Sequence, residues 1–199
     1  MTGRNGEDQD TIWSGGKPES SKLYPRPVYC PASGPRPRVL CLDAESGKII
    51  WKYEYPVEYS VSYPAGPRST PVINDGRVYT VGAQGHLLCL DAQNGNILWN
   101  KNFVAEFGTR LPTWGMVASP LVDDNQLITL VGGQQNSLIV SFDRKTGKEL
   151  WRALEDAAVG YAPPVIFEFG GRRELIVWHP TAVSAINPEN GKLIWEVPY

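Results

Sequence analysis

The chain has 199 residues, with 19 basic and 21 acidic side chains and a formal net charge of −2. Because no basic stripe stands out of this balanced composition, nucleic acid is excluded as an expected partner. No apolar stretch approaches the roughly 20 residues that cross a bilayer, so no transmembrane segment is expected. No signal peptide is visible, and the sequence leaves the true N-terminus and the compartment open.

The first part of the chain predicts disorder followed by an incomplete structural unit. Residues 1–22 are rich in Gly, Ser and charged residues and lack hydrophobic periodicity, which is typical of a disordered segment. Residues 23–55 are expected to form the first unit. Within it, "PVYC" at 27–30 is interpreted as the second strand, whereas "ESSKLYP" matches an innermost strand poorly.

An eleven-residue pattern occurs four times along the chain. Its copies are "CLDAESGKIIW" at 41–51, "CLDAQNGNILW" at 89–99, "SFDRKTGKELW" at 141–151 and "AINPENGKLIW" at 185–195. The closing tryptophans are 48, 52 and 44 residues apart, a period that propeller blades and some helical arrays share. Short apolar runs between turn residues favour strands over helices. The repeated positions are Asp43, Gly47 and Trp51; Asp91, Gly95 and Trp99; Asp143, Gly147 and Trp151; and Asn187, Gly191 and Trp195.

Each copy is interpreted as a β-hairpin that closes a larger four-stranded unit. In the second copy, Asp91 can accept hydrogen bonds from turn amides and Gly95 can take a positive φ. A further strand pair precedes it, as in "STPVINDGRVYTVGAQG", where "NDG" is a tight turn. The same order predicts units at about 69–103, 118–152 and 162–197.

The inner strands of these units are apolar on both sides, which suits sheets covered on both faces. We therefore predict an all-β fold, made of β-propeller blades of four antiparallel strands. The chain provides about three and a half to four such blades, spanning 23–199, and so forms an incomplete ring or a fragment.

The Asp–three residues–Gly–three residues–Trp signature resembles the repeat of pyrroloquinoline-quinone-type (PQQ-like) β-propellers, in the quinoprotein alcohol dehydrogenase-like superfamily. The resemblance covers about residues 28–197 and implies that the Trp of one blade docks on the next. Such propellers usually close with seven or eight blades, and an open arc would expose a blade-sized apolar face. The chain is therefore expected to be a fragment of a longer protein, or to close its ring with further blades or a second copy.

The cysteines and histidines give no catalytic or metal-binding pattern. Cys41 and Cys89 hold equivalent places in stacked sheets about 10 Å apart, too far for a disulfide, and are expected to be buried apolar residues. Cys30 could pair with Cys41 on an adjacent strand. His86 and His179 are predicted in surface loops between second and third strands, without a motif around either.

Alternating strand directions place the connections 53–68, 102–117 and 152–161 on one face of the array. Long loops carrying aromatic residues and Arg on a rigid scaffold are typical of binding surfaces. The alternative is that these aromatic residues only cover the end of the core. The candidate ligand-binding residues are Tyr59, Tyr63, Arg68, Arg110, Thr113 and Trp114.

Three functions follow as hypotheses. The first is a non-enzymatic scaffold that binds a protein or a small ligand on this face, similar to the propeller of bacterial outer-membrane protein assembly. That similarity implies the periplasm or cell envelope. The second is a quinone-dependent dehydrogenase domain or remnant, for which the resemblance implies PQQ and calcium, although the chain has no adjacent cysteine pair. The third is a truncated product without independent function.

Overall fold

The computed structural model describes residues 28–29, 37–57 and 68–199. The predicted disordered segment 1–22, the "ESSKLYP" segment, Cys30 and the two candidate tyrosines, Tyr59 and Tyr63, lie outside the described residues. Within the described ranges the chain forms fifteen strands and one short helix. The predicted all-β class is therefore confirmed.

The strands form one three-stranded sheet and three four-stranded sheets, all antiparallel and all in chain order. We number the sheets first to fourth from the N-terminal side. Sheet by sheet, the strands are β1 (Val28–Tyr29), β2 (Arg38–Leu42) and β3 (Ile49–Glu54); β4 (Val72–Asn74), β5 (Arg77–Val81), β6 (His86–Asp91) and β7 (Ile97–Asn102); β8 (Leu121–Asp123), β9 (Gln126–Leu130), β10 (Ile139–Asp143) and β11 (Glu149–Ala153); and β12 (Val165–Phe169), β13 (Arg172–His179), β14 (Ala182–Ile186) and β15 (Leu193–Pro198).

The inner strands are buried because their apolar residues face a neighbouring sheet on both sides. In β5 and β6 most side chains are buried, and the same holds in β9 and β10. The main core fills the space between the second, third and fourth sheets, and a smaller core joins the first sheet to the second. The short helix α1 (Phe103–Phe107) follows β7 directly.

The four repeat hairpins share one turn. In the second sheet, Asp91 Oδ1 accepts hydrogen bonds from the amides of Gln93 at 2.8 Å and Asn94 at 3.1 Å. Gly95, at φ 75°, donates its own amide to the Asp91 carbonyl at 2.9 Å. Asn187 substitutes for Asp in the fourth sheet and accepts from the Glu189 amide at 2.7 Å. The side-chain oxygen of an amide can therefore replace the predicted carboxylate as the acceptor in this turn.

Three of the four repeat tryptophans, Trp51, Trp99 and Trp151, stack on the turn glycine of the following sheet. A Cβ built on Gly95 would lie 2.6 Å from Trp51 Cε3, and one on Gly147 would lie 2.8 Å from Trp99 Cδ2. A Cβ on Gly191 would lie 2.7 Å from Trp151 Cε3. Real Cβ atoms do not approach carbon atoms so closely, so glycine is required at these turns by the ring above it and by its positive φ.

The indole N–H groups complete these three junctions in two ways. Trp51 Nε1 donates to the Ala92 carbonyl at 3.0 Å, and Trp99 Nε1 donates to the Arg144 carbonyl at 3.2 Å. Both acceptors directly follow the turn Asp of the next sheet. At the last junction Gln126 intervenes, since its Oε1 accepts from Trp151 Nε1 at 2.9 Å and its Nε2 donates to the next sheet's Pro188 carbonyl at 3.1 Å.

Two sequence predictions about individual residues have different outcomes. Cys41 and Cys89 are both buried, and Cys89 carries a free thiol, so no disulfide joins them. Burial raises the pKa of Cys89 to about 12, which keeps it a neutral, unreactive thiol at physiological pH.

The assignment of both histidines to surface loops is wrong, because His86 begins β6 and His179 ends β13 with 3% of its surface exposed. Each histidine is the strand residue next to the loop, so β6 begins earlier and β13 ends later than the predicted loops allow.

The stacking predicts a position-specific cost for a side chain at a repeat turn. Gly95→Asn should destabilise the fold by about 1–3 kcal/mol, the range for overpacking a filled site. The matched control is Gly170→Asn, because Gly170 also has positive φ (58°) but has no described atom within 4 Å of an added Cβ. Urea unfolding should separate the two variants, and equal stabilities would contradict the stacking.

Candidate functional site

The connection between the second and third sheets is fastened to the second sheet by backbone contacts. The Phe103 amide donates to the Gly85 carbonyl at 2.8 Å, and the Met116 amide donates to the Ala83 carbonyl at 2.9 Å. Gly115 packs closely on the loop between β5 and β6, because a Cβ added to it would lie 2.9 Å from the Ala83 carbonyl oxygen. Both ends of the connection are therefore held by the loop between β5 and β6.

The same connection is also fastened to the third sheet. The Gln134 amide donates to the Phe107 carbonyl at 2.9 Å, and Thr109 Oγ1 donates to the Val131 carbonyl at 2.9 Å. The Phe107 ring is buried and packs edge-on against Phe142 of β10. With anchors on two sheets, residues 108–115 form a fixed platform above the core, without regular secondary structure of their own.

This platform presents apolar and charged side chains to solvent. Trp114 is 44% exposed, and Leu111 beside it is also exposed. Arg110 is exposed on the same segment. Because the backbone of this segment is already held in place, an indole and an arginine on it lose little backbone entropy on binding, and Trp and Arg are the residues enriched among interface anchors.

Two adjoining polar cavities form a groove beside the platform. Their volumes are about 220 Å³ and 130 Å³. Gln134 lines both. The groove carries charges of both signs, since Arg110 and Glu155 line one cavity and Arg152 and Glu106 line the other.

Arg152 is held in this groove by two contacts. Its guanidinium makes a bidentate pair with Glu149, at 2.7 and 2.6 Å, and lies 5.4 Å from the centroid of the Phe107 ring. The hydrogen bonds that Arg152 donates to Glu149 raise the pKa of Arg152, so the side chain is fully charged. The groove therefore offers a fixed cation next to polar amide groups.

The predicted ligand-binding residues fall into two groups. Arg110, Thr113 and Trp114 lie within five residues of one another on the platform, and all three are exposed. Arg68 lies apart from them, on the approach to β4; it is half-buried, and its Nε is buried without a hydrogen-bond partner. Tyr59 and Tyr63 stay predictions, because they lie outside the described residues.

A buried hydrogen-bond network beside the groove escaped the sequence analysis. Asp156 Oδ2 contacts His179 Nδ1 at 2.6 Å, and His179 Nε2 contacts Ser184 Oγ at 2.9 Å. Ser184 then donates to Glu196 Oε2 at 2.9 Å. The cross-strand register sets this order, because Ser184 pairs with both Val177 and Glu196, and His179 follows Val177 by two residues on the same face.

The order Asp–His–Ser matches that of an orienting acid, a base and a nucleophile. The environment does not support that chemistry, because Ser184 is 0% exposed and donates its proton to Glu196. The network instead fastens the connection 154–164 to the fourth sheet. Asp156 is its hub, since the same oxygen also accepts from the Thr181 amide at 3.1 Å and from Thr181 Oγ1 at 2.8 Å.

A separate, apolar cavity of about 470 Å³ is lined by His179. Its lining includes residues 159–162 of the connection before β12 and the aromatic pair Trp178 and Tyr199. Tyr199 accepts from Trp178 Nε1 at 2.9 Å and donates to the His179 carbonyl at 2.6 Å. Asp156 lines the polar groove and its partner His179 lines the apolar cavity, so the hydrogen-bonded Asp156–His179 pair lies between the groove and this cavity.

In the described ranges, no group of three or more His, Cys, Asp and Glu side chains is arranged to hold a metal ion. The same part of the chain contains no helix that is long and apolar enough to cross a membrane.

The repeat architecture agrees with one protein family. The sequence profile of the family described as outer membrane protein assembly factor BamB matches residues 35–199. The chain belongs to this family. The predicted PQQ-like propeller repeat is thereby confirmed, together with the fold it implies. No curated protein matches the chain significantly.

Solved structures of similar fold support the same architecture. BamB from Moraxella catarrhalis superposes with a TM-score of 0.57 and 19% identity, over 83% of this chain and 49% of that one. Quinohemoprotein alcohol dehydrogenase from Pseudomonas putida gives a TM-score of 0.59 and 17% identity, over 83% and 32% of the two chains. The enzyme from Comamonas testosteroni gives 0.58 and 15%, over 86% and 36%. At these identities the likeness shows the fold alone, and the chain spans at most half of each structure.

The Asp156 network predicts acid-sensitive stability. Burial opposes ionisation of Asp156, but hydrogen bonds from His179 and Thr181 outweigh it and lower the pKa of the carboxyl. A carboxyl whose pKa is lowered in the folded state stabilises the fold at pH values above its unfolded-state pKa, which is about 4 for Asp. This contribution is lost as the pH falls below about 4 and through the folded-state pKa. Asp156→Asn replaces an acceptor oxygen by a donor and should cost about 1–3 kcal/mol at pH 7.

The matched control is Asp124→Asn, which removes the same charge from an exposed turn. Urea unfolding of both variants and the wild type at pH 7 and pH 3 gives the comparison. The difference between Asp156→Asn and wild type should shrink at pH 3. A difference that is the same at both pH values, or equal to that of the control, would contradict a structural role for the carboxylate.

Proposed function

We propose that the chain is a non-enzymatic β-propeller scaffold that binds a protein partner through its loop-rich face. The observation that carries this proposal is the platform 108–115, which holds exposed Trp114 and Arg110 in fixed positions beside a polar groove. Membership of the BamB family supports a protein-interacting role. By the same argument, the periplasm or cell envelope is the proposed location.

The chemistry of the face fits a protein partner better than a small molecule. The groove cavities are each smaller than the roughly 300 Å³ at which typical ligand pockets begin. Apolar anchors at Leu111 and Trp114 stand next to charged groups of both signs, which is the usual arrangement of a protein interface with an apolar centre and a polar rim. A partner segment with its own charged and aromatic side chains would match this surface.

The double variant Arg110→Ala and Trp114→Ala tests this face. Tagged wild type and variant are used to capture partners from a bacterial envelope extract, with quantification by mass spectrometry. Truncating two anchors should reduce the specific partner at least tenfold, because anchors of this kind contribute about 1–4 kcal/mol each.

The control is Lys145→Ala, in the hairpin turn that follows β10, at the opposite end of that strand from the groove. It should leave capture unchanged. An identical partner set for wild type and double variant would reject the face as the binding site. A folded wild-type chain that captures nothing specific would favour the truncated product without independent function.

The quinone-dependent dehydrogenase is the second candidate, favoured by the fold shared with the two quinohemoprotein enzymes. The residues give the cofactor little support: the sequence has no adjacent cysteine pair, and the described part has no group of three or more His, Cys, Asp and Glu side chains arranged to hold a metal ion. Titration with PQQ and calcium, followed by absorbance and dye reduction, should therefore show no saturable change up to high micromolar concentration. Saturable binding with dye reduction would favour the enzyme over the scaffold.

A further inference from the structure

The outer face of the fourth sheet exposes an apolar surface that no described part of the chain covers. Cross-strand register places Phe167, Trp178, Trp195 and Val197 on this one face. All four are exposed, Trp195 by 38%, and Phe169 at the edge by 79%. Contiguous apolar patches of this kind mark interaction surfaces in soluble proteins. The opposite face of the same sheet packs on the third sheet and is buried.

Trp195 is the repeat tryptophan of this sheet, and it lacks the contact that the other three make. Trp51, Trp99 and Trp151 each cover the turn glycine of the following sheet. Trp195 donates its N–H to Glu174 Oε2 of its own sheet, at 2.9 Å. The exposed ring is therefore one half of the junction seen three times within the chain.

The first sheet presents the other half of that junction. Its turn glycine, Gly47, has the same positive φ as the others (66°), yet no described atom lies within 4 Å of an added Cβ. Ala44 follows Asp43 as Ala92 follows Asp91, and Ala44 is exposed. Its carbonyl thus corresponds to the one that accepts from Trp51 at the first internal junction.

We propose that a second copy of this chain completes this junction, with Trp195 stacked on Gly47 of the partner subunit. The contact is head-to-tail, so it either closes into a ring or extends into a filament. In a closed pair, a second, identical junction forms at the other end of each arc.

A second copy fits the face better than an unrelated apolar partner, because it also offers partners for the polar groups of the face. Glu174 is paired with Arg172 beside Trp195, and the Arg172 side chain is 61% exposed. A partner sheet ending in a turn offers the Ala44 carbonyl to the guanidinium. Gln126 makes the equivalent bridge to the Pro188 carbonyl inside the chain.

Light scattering and sedimentation of the full chain across a concentration range test the proposal. The expected mass is twice the 22.0 kDa of one chain. Trp195→Ala and Gly47→Asn should each weaken the dimer at least tenfold, since one removes the ring and the other fills its socket with a residue that tolerates positive φ. The controls are Trp114→Ala, an exposed tryptophan off the sheet face, and Gly170→Asn, an open turn glycine. Both should leave the dimer intact.

Mixing the two variants distinguishes head-to-tail from face-to-face packing. A heterodimer of Trp195→Ala and Gly47→Asn keeps one intact junction, so the mixture should dimerise more tightly than either variant alone. Circular dichroism checks folding of both variants. If Trp195→Ala unfolds, Gly47→Asn alone tests the junction, because a side chain added at Gly47 meets no described atom of its own chain.

Three results would overturn the proposal. A monomer at every concentration would mean that the face awaits further repeats of a longer chain or an unrelated partner. A dimer insensitive to Gly47→Asn would mean that two fourth sheets pack on each other. Open-ended filaments would mean that the arc does not close.

Discussion

The stack of a tryptophan ring on a bare glycine is the contact on which the rest of the array depends. Neighbouring sheets share no backbone ladder, so side-chain contacts set the position of one sheet on the next. The ring fits only where a Cβ is absent, as on Gly95, Gly147 and Gly191, and its N–H then selects one acceptor. Apolar burial supplies most of the stability, and this contact fixes the relative position of the sheets.

The acceptor of the indole proton changes along the chain, and the change has a physical reason. Ala92 and Arg144 offer backbone carbonyls directly. Gln126 interposes a side chain that can both accept and donate, and so satisfies two groups at once. Glu174 can only accept, because hydrogen bonds from Trp195 and Arg172 lower its pKa and keep it ionised. Glu174 therefore cannot donate to the next sheet as Gln126 does through its Nε2, and at this position only Arg172 offers such a donor.

The fold was accessible from the sequence because its signals are local. A hairpin turn with an Asp acceptor and a glycine at positive φ lies within five residues, and its repetition identifies the architecture. The candidate site was accessible only in part. Arg110 and Trp114 stand out as unusual residues in a long loop, whereas Asp156, His179 and Ser184 meet through strand register and the path of a connection. No spacing in the sequence encodes that meeting, so His179 was misplaced in a loop.

The Asp156 network and the outer face of the fourth sheet are connected by direct hydrogen bonds. Trp178 and Tyr199 lie on or beside that face, and Tyr199 holds the His179 carbonyl. His179 in turn holds Asp156, which lines the groove next to Arg110. The outer face of the fourth sheet and the loop-rich face are therefore joined by one continuous set of contacts, which runs from Tyr199 through His179 to Asp156.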